Sequence, residues 1–467
     1  MNLNKEQKDA LAKLIEFVKG NEHDTFILKG YAGTGKTVLV NELLQSPEIK
    51  EIPVQLLAST GRAAKILSLK TNRAAQTVHS YIYTFVYDEF NEEKKTIKVQ
   101  FALKELNIDL TDTIYIVDEA SMLSNHKDNT MEEGLQFGSG KLLTDFFTFC
   151  QGRKVIFVGD PAQLPPINTL FSPALNEEYL QNTFKRKVTS TFLTQVMRYS
   201  KTSGIYYNTS RIREQLEKPV KPKYLSIVAT QFPDMDVVSL DYMLIENYVN
   251  TIKKKGYESA ILVAYTNKTC NQLNELVRKK LFTNYQLPQK GDLCIVAKNN
   301  YLHGIENGQH IYIQSISEKE ERVGQLHFRD IIYYLITPNG IDKSREYCGK
   351  VIMEFLLREK PTITHEEEYE LYKRFFATID PEKRKNKQYV IDAFSKDPYI
   401  HALRIRYGYA ITCHKAQGGE WDTLFLILEK VLFGQTKDNP EFLYRWVYTA
   451  LTRPVNKVVL LDNICIK

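Results

Sequence analysis

Gly30-Tyr31-Ala32-Gly33-Thr34-Gly35-Lys36-Thr37 lies between a short apolar run, Thr25-Phe26-Ile27-Leu28, and a helical continuation, Val38-Leu39-Val40-Asn41-Glu42-Leu43-Leu44. Strand, loop, helix is the order that a phosphate-binding loop requires. The glycines let backbone N–H groups close on phosphate oxygens at a helix N-terminus, where the dipole favours negative charge. Gly30, Ala32, Gly33, Thr34 and Gly35 supply that cradle. Lys36 is placed for the β- and γ-phosphates of a nucleoside triphosphate, and the Thr37 hydroxyl for Mg²⁺. A chance glycine-rich turn is the alternative, and it leaves the matching flanks unexplained.

Working outward, Val54-Gln55-Leu56-Leu57-Ala58, Ile114-Tyr115-Ile116-Val117 and Lys154-Val155-Ile156-Phe157-Val158 repeat the short apolar run, with helical segments between. This alternation predicts an α/β fold around a parallel sheet covered on both faces, with ligands at the carboxyl ends of its strands. Tyr83, Phe85 and Tyr87, a polar tip at 91–95, then Ile97, Val99 and Phe101 predict a β-hairpin inserted over about 81–105. Residues 124–141 read as loop. A second α/β lobe is expected from about residue 191, with Ala260-Ile261-Leu262-Val263-Ala264 as a buried strand. Residues 291–357 change to short alternating strands, which predict a small β-barrel, and charged helical stretches follow to about 394. The α/β pattern then resumes to the end.

Composition adds bounds. The 467 residues suggest roughly three domains. A hydrophobic content of 43% and a charged content of 25% are those of a globular protein with real cores. A net charge of +6 permits a polyanionic partner without arguing for one. The six cysteines form no Cys-x-x-Cys pair, which excludes a zinc ribbon and suits reduced thiols in a cytoplasmic protein. There is no apolar signal core at the N-terminus and no apolar run long enough for a membrane span.

Two further clusters complete a triphosphate site. Asp118-Glu119-Ala120-Ser121 follows the third strand. Asp118 suits the carboxylate that orients Mg²⁺, and Glu119 the base for an attacking water. Adjacent acids at a strand end are common on surfaces, so the pair gains meaning only beside the loop. Gly159-Asp160-Pro161-Ala162-Gln163 follows the next strand. There Gln163 is placed to feel the γ-phosphate or the attacking water; a proline-rich turn with an exposed amide is the alternative reading.

These clusters, in this order, resemble the signature motifs of superfamily 1 helicases, nearest the 5′→3′ branch that includes the RecD- and Dda-like enzymes. The resemblance spans nearly the whole chain. It takes in Ala58-Ser59-Thr60-Gly61-Arg62-Ala63-Ala64, Thr77-Val78-His79-Ser80 and Leu193-Thr194-Gln195-Val196-Met197-Arg198. Further on come Tyr265-Thr266-Asn267-Lys268, residues 410–420 (Ala-Ile-Thr-Cys-His-Lys-Ala-Gln-Gly-Gly-Glu) and Tyr448-Thr449-Ala450-Leu451-Thr452-Arg453.

The resemblance implies two RecA-like lobes: 1–190 with the hairpin insertion, then 191–295 and 401–467 interrupted by an SH3-like barrel and helical stretch at 296–400. It implies ATP and Mg²⁺ as ligands, Gln7 at the adenine and Glu420 at the ribose. Arg198 and Arg453, both expected on the second lobe, would act as arginine fingers. Thr60, Thr77, His79, Asn267, Thr412, His414 and Lys415 would contact single-stranded DNA without reading its sequence, and an aromatic such as Phe90 on the hairpin would split a duplex. The implied activity is a DNA-stimulated ATPase and 5′→3′ helicase, a monomer acting on a duplex with a 5′ overhang, in replication, repair or recombination. An ATP-gated clamp that grips the strand without unwinding is the alternative. A one-lobe small-molecule kinase would leave residues 410–453 without a purpose.

Overall fold

Alternate residues of each apolar run in the first part of the chain face opposite ways, and both sets are buried. This computed structural model describes residues 3–91, 96–127, 136–222, 225–300, 303–358 and 362–467; the side chains of 85, 87–91, 96–100 and 136 lie outside the described part. The first lobe runs α1 (Lys5–Lys19), β1 (Thr25–Gly30), α2 (Lys36–Gln45), β2 (Val54–Ala58), α3 (Gly61–Thr71), β3 (Ala75–Thr77) and α4 (Val78–Ile82). It continues with β4 (Tyr83–Asn91), β5 (Thr96–Leu103), β6 (Ile114–Asp118), β7 (Gln136–Phe137), α5 (Leu142–Cys150), β8 (Val155–Gly159), α6 (Glu177–Phe184) and β9 (Val188–Leu193).

Six of these strands form a parallel sheet in the order β3-β2-β6-β8-β1-β9. Phe26, Leu28, Leu56, Ile116 and Ile156 pack with Leu14 and Leu39 from α1 and α2 on one face. Ile27, Leu57, Val117 and Phe157 pack with Phe146 of α5 on the other. A sheet buried on both faces exposes only its edges to ligands, so function falls to the loops after the strand ends.

β9 pairs with β1 from Thr25↔Val188 to Gly30↔Leu193. The first sheet therefore runs past the boundary expected at 190, and the sequence after it stays with this lobe, since Met197 N donates to Gly33 O at 2.8 Å. β4 and β5 pair antiparallel, and β7 joins β5. The stretch read as loop thus contains a strand two residues long, too short to show a period; Phe137 fixes it by stacking on Phe101 at 4.7 Å.

The second lobe contains α7 (Gly204–Glu217), β10 (Met235–Val238), α8 (Asp241–Lys255), β11 (Ala260–Ala264) and α9 (Asn267–Leu281). Then come β12 (Leu293–Val296), β13 (His310–Val323), β14 (Leu326–Thr337), β15 (Gly340–Ile352), α10 (His365–Ala377), α11 (Lys387–Phe394) and β16 (Ile405–Tyr407). The chain ends with β17 (Ala410–Thr412), α12 (Cys413–Ala416), β18 (Trp421–Leu426), α13 (Lys430–Gln435), α14 (Pro440–Leu451) and β19 (Pro454–Leu461). A parallel sheet in the order β10-β19-β18-β11-β17 carries the lobe. Ile261, Val263, Leu424 and Leu426 meet α14 on one face, and Leu262 and Phe425 meet α8 and α9 on the other.

Between β11 and β17 lies an antiparallel sheet, β15-β14-β13-β12-β16. It is wider than the 296–400 expected, because β12 and β16 pair with each other from Cys294↔Tyr407 to Val296↔Ile405. Both strands are wholly buried, so each reads locally as part of the flanking lobe; their pairing across about 110 residues is what assigns them to the inserted sheet.

Candidate active site

The loop after β1 is built for close approach. Gly33 and Gly35 take φ values of +80° and +87°, in the left-handed region that glycine alone enters freely. A Cβ on Gly33 would lie 2.7 Å from the Arg198 Cβ, and one on Gly35 would lie 2.4 Å from Gln7 Nε2. Thr34 Oγ1 donates to Tyr31 O at 2.8 Å. Lys36 Nζ donates to the carbonyls of Gly30 (2.8 Å) and Tyr31 (3.1 Å), folded back on the loop it serves. Thr37 follows it in the first turn of α2. Gln7 is buried beside the loop with its amide already bonded: Nε2 donates to Thr34 O at 3.0 Å, and Oε1 accepts from Asn4 N in a capping box.

Asp118 ends β6, on the same edge of the sheet as the loop because both strands run parallel. Its Oδ1 accepts from Glu119 N at 2.8 Å. Glu119 has a φ of +51°, a conformation that costs a side-chain-bearing residue about 1–3 kcal/mol. Burial raises the proton affinity of both carboxyls. For Glu119 the neighbouring Asp118 charge adds to it, while Arg453 and Lys36 work against it. For Asp118 the Glu119 amide, Lys36 and Lys70 are the opposing groups.

A Thr37 hydroxyl and an Asp118 carboxylate on one edge are hard oxygen donors that fit Mg²⁺. No group of three His, Cys, Asp or Glu side chains converges among the described residues. Gln163 is 2% exposed, and its Oε1 has no hydrogen-bond partner among the described residues. An orphaned acceptor at this depth is a seat for a water molecule.

The second lobe closes over the turn that carries Gln163. Tyr448 on α14 donates to Asp160 Oδ2 at 2.8 Å and accepts from Ala32 N, in the phosphate loop, at 3.1 Å. Leu164 N donates to Thr449 Oγ1 at 3.0 Å, and Gln417 Nε2 donates to Leu164 O at 3.1 Å. Arg445 donates to the carbonyls of Pro161 and Gln163. Nothing in the local sequence marks Tyr448, Asp160, Gln417 or Arg445 for these contacts, although the first three lie within the motif stretches 448–453, 159–163 and 410–420.

Arg198 belongs to the segment that follows β9 against the phosphate loop, so it stands on the first lobe's side of the cleft, not on the second lobe as expected. Its guanidinium pairs with Glu420 and donates to Thr452 O at 3.0 Å. Glu420, expected at a ribose, is engaged by Arg198 and by Lys70 at 3.5 Å. Burial opposes its charge, yet the Arg198, Lys70 and Arg453 charges hold its carboxyl below the ordinary value. Arg453 is buried, donating to Thr449 O at 2.9 Å and Thr452 Oγ1 at 3.0 Å.

The residues assigned to the polymer fall on one edge of both sheets. Thr60 caps α3, accepting from Ala63 N at 3.2 Å, and Thr77 caps α4. His79 packs among Phe137 and Tyr83, beside a cavity of about 310 Å³ that α10, α11 and Arg404 also line. Asn267 starts α9 and accepts from Arg406 at 3.0 Å. Thr412 and Lys415 sit at the end of β17 and in α12. Burial, and then the Arg406 charge, lowers the Lys415 ammonium to about 8, and no carboxylate pairs with it among the described residues. Burial lowers His414 to about 4, so it is neutral at physiological pH. The Phe90 side chain lies outside the described residues.

Two family models match the chain: an AAA domain over residues 2–217 and a UvrD-like helicase C-terminal domain over 407–461. The pair covers the two halves of the cleft. In these two matches the chain is similar to superfamily 1 helicases of the Pif1/RecD-like group. It is 27% identical to the ATP-dependent DNA helicase Dda of phage T4 over 290 residues, 60% of this chain and 58% of that protein. It is 28% identical to the ATP-dependent DNA helicase Pif1 of a Psychrobacter species over 301 residues, 60% of this chain and 43% of the relative. The matched stretches thus span about half of these curated relatives. In fold it is similar to the Bacteroides Pif1 helicase crystallised with ADP-AlF3 and ssDNA, with a TM-score of 0.50 and 16% identity, over 99% of this chain and 93% of that one.

Proposed function

We propose that the protein is an ATP-driven DNA helicase that moves 5′→3′ on a single strand and separates the duplex ahead. The observation that carries this reading is the Tyr448 hydroxyl, which joins the phosphate loop of one lobe to Asp160 of the same lobe from a helix of the other. Any change at the γ-phosphate is therefore felt at the lobe–lobe contact, which is the linkage a translocase needs.

ATP lies on the loop amides and Lys36. Thr37 and Asp118 would hold Mg²⁺, which when bound would neutralise part of the triphosphate's charge. Glu119 takes the proton of the attacking water, and Gln163 Oε1 accepts a hydrogen bond from that water. Arg453 and Arg198 stabilise the charge that develops on the transferred phosphoryl group, and Arg198 leaves Glu420 to do so. ADP and phosphate then release the contact.

The unpaired, desolvated Lys415, with Thr60, Thr77, His79, Asn267, Thr412 and His414, grips the strand through phosphates and sugars. The antiparallel sheet of β12 to β16 serves as the SH3-like roof over that strand, and the β4–β5 hairpin as the wedge. The test is strand separation on duplexes with a 5′ or a 3′ overhang, run beside ATPase with and without DNA. DNA-stimulated hydrolysis with no strand separation on either substrate sinks the helicase reading in favour of a clamp.

A further inference from the structure

The turn between β12 and β13 leaves the inserted sheet and lands on the first lobe, bringing a carboxylate to the edge assigned to the strand. Glu306 lies over Gly61, the first residue of α3: a Cβ there would be 2.0 Å from the Glu306 Cβ and 2.4 Å from its Oε2. Burial disfavours the charge on this carboxyl, while the Thr77 amide and hydroxyl favour it. Glu306 has no cationic partner among the described residues, so it is not placed as half of a salt bridge. Nor does it dangle. Its N–H donates to Gln309 Oε1 at 3.0 Å, and Asn300 and Ile305 exchange backbone hydrogen bonds of 2.6 and 3.0 Å across the turn.

A carboxylate oxygen and a phosphate oxygen are the same kind of acceptor for an amide and a hydroxyl. The groups that meet Glu306 are those that the proposed function gives to a backbone phosphate, and two anions cannot share them. We propose that Glu306 stands in for a phosphate of the single strand. In the polymer-free protein it occupies the position at Gly61 and Thr77 and pins the inserted sheet to the first lobe, and the entering strand displaces it. This inference rests on the reading that this edge grips a strand.

Glu306→Gln keeps the shape over Gly61 and removes the charge; Glu306→Ala removes both. Anisotropy of a labelled oligothymidylate with nucleotide-free protein should show Kd falling at least ~5-fold in both variants, with ATPase in the absence of DNA unchanged. Unaltered or weaker binding in both variants, at unchanged unfolding midpoints, would overturn the stand-in. A wild-type protein that binds no oligothymidylate would instead remove the strand reading itself, so the two failures are distinguishable.

Discussion

The hydroxyl of Tyr448 donates to Asp160 Oδ2 at 2.8 Å while accepting from Ala32 N at 3.1 Å, so one oxygen of the second lobe completes two buried groups of the first. Asp160 is fully buried and spends its other oxygen on Ala162 N at 2.9 Å. It shapes the turn that carries Gln163. The nucleotide loop, the turn that carries Gln163 and the lobe contact are therefore joined through one hydroxyl.

Tyr448→Phe leaves Asp160 Oδ2 and the Ala32 amide without that partner, at about 1–3 kcal/mol for each buried group left unsatisfied. The loss falls on the closed cleft, where both bonds exist. The stimulation of ATPase by DNA should drop about 10-fold, since 1.4 kcal/mol is a factor of ten. Nucleotide affinity without DNA should change far less. Steady-state hydrolysis with and without an oligonucleotide reads both, and equal losses would show that Tyr448 serves the loop alone.

Glu119→Gln retains the side-chain shape and removes the base. Turnover should fall by about 10²–10⁴ while ATP still binds. The pH profile of the wild type tests the same assignment. Burial and the Asp118 charge raise the Glu119 carboxyl, and only its ionised form can accept a proton. The acid limb should therefore lie above the ordinary carboxylate range, with turnover rising as pH rises through it. A limb at 4.5, the unperturbed value, would contradict the base role.

The Arg198–Glu420 ion pair separates two meanings of Glu420. If Arg198 must leave Glu420 to reach the γ-phosphate, Glu420→Gln lowers the KM for ATP a few-fold. If Glu420 instead meets the ribose, the same change raises it. Arg198→Ala should cut kcat by about 10³ or more, the scale of an arginine finger, with strand affinity retained. Measuring kcat and KM for both variants decides between these meanings.

The parallel lobes are legible because each apolar run, such as Phe26-Ile27-Leu28, carries its own burial signal, and the placement of Lys36 and Asp118 on one sheet edge is legible because each follows such a run. What stayed hidden depends on a distant partner. Asp160 gains its role from Tyr448, 288 positions away. The extent of the first sheet depends on β9 docking beside β1, and β7 exists because Phe137 stacks on Phe101. Arg198 departs from its expected side of the cleft for the same reason. Its side of the cleft is set by the Met197–Gly33 backbone bond, which no local spacing announces.

Lys415 tests the grip on the strand by charge alone. Burial and the Arg406 charge bring its ammonium down to about 8, so the free protein loses this cation as pH rises from 7 to 9. A bound phosphate favours the charged form, and affinity for single-stranded DNA should fall across that window. Lys415→Met should weaken binding at pH 7, flatten the pH dependence, and make the slope of log affinity against log salt shallower by about 0.7, the share of one released counterion on a single strand. ATPase without DNA should be unaffected, because Lys415 is assigned to the strand and not to the nucleotide. Anisotropy titrations at several salt concentrations and at pH 7 and 9 measure all three strand effects. A variant that keeps the wild-type salt slope would place the strand elsewhere.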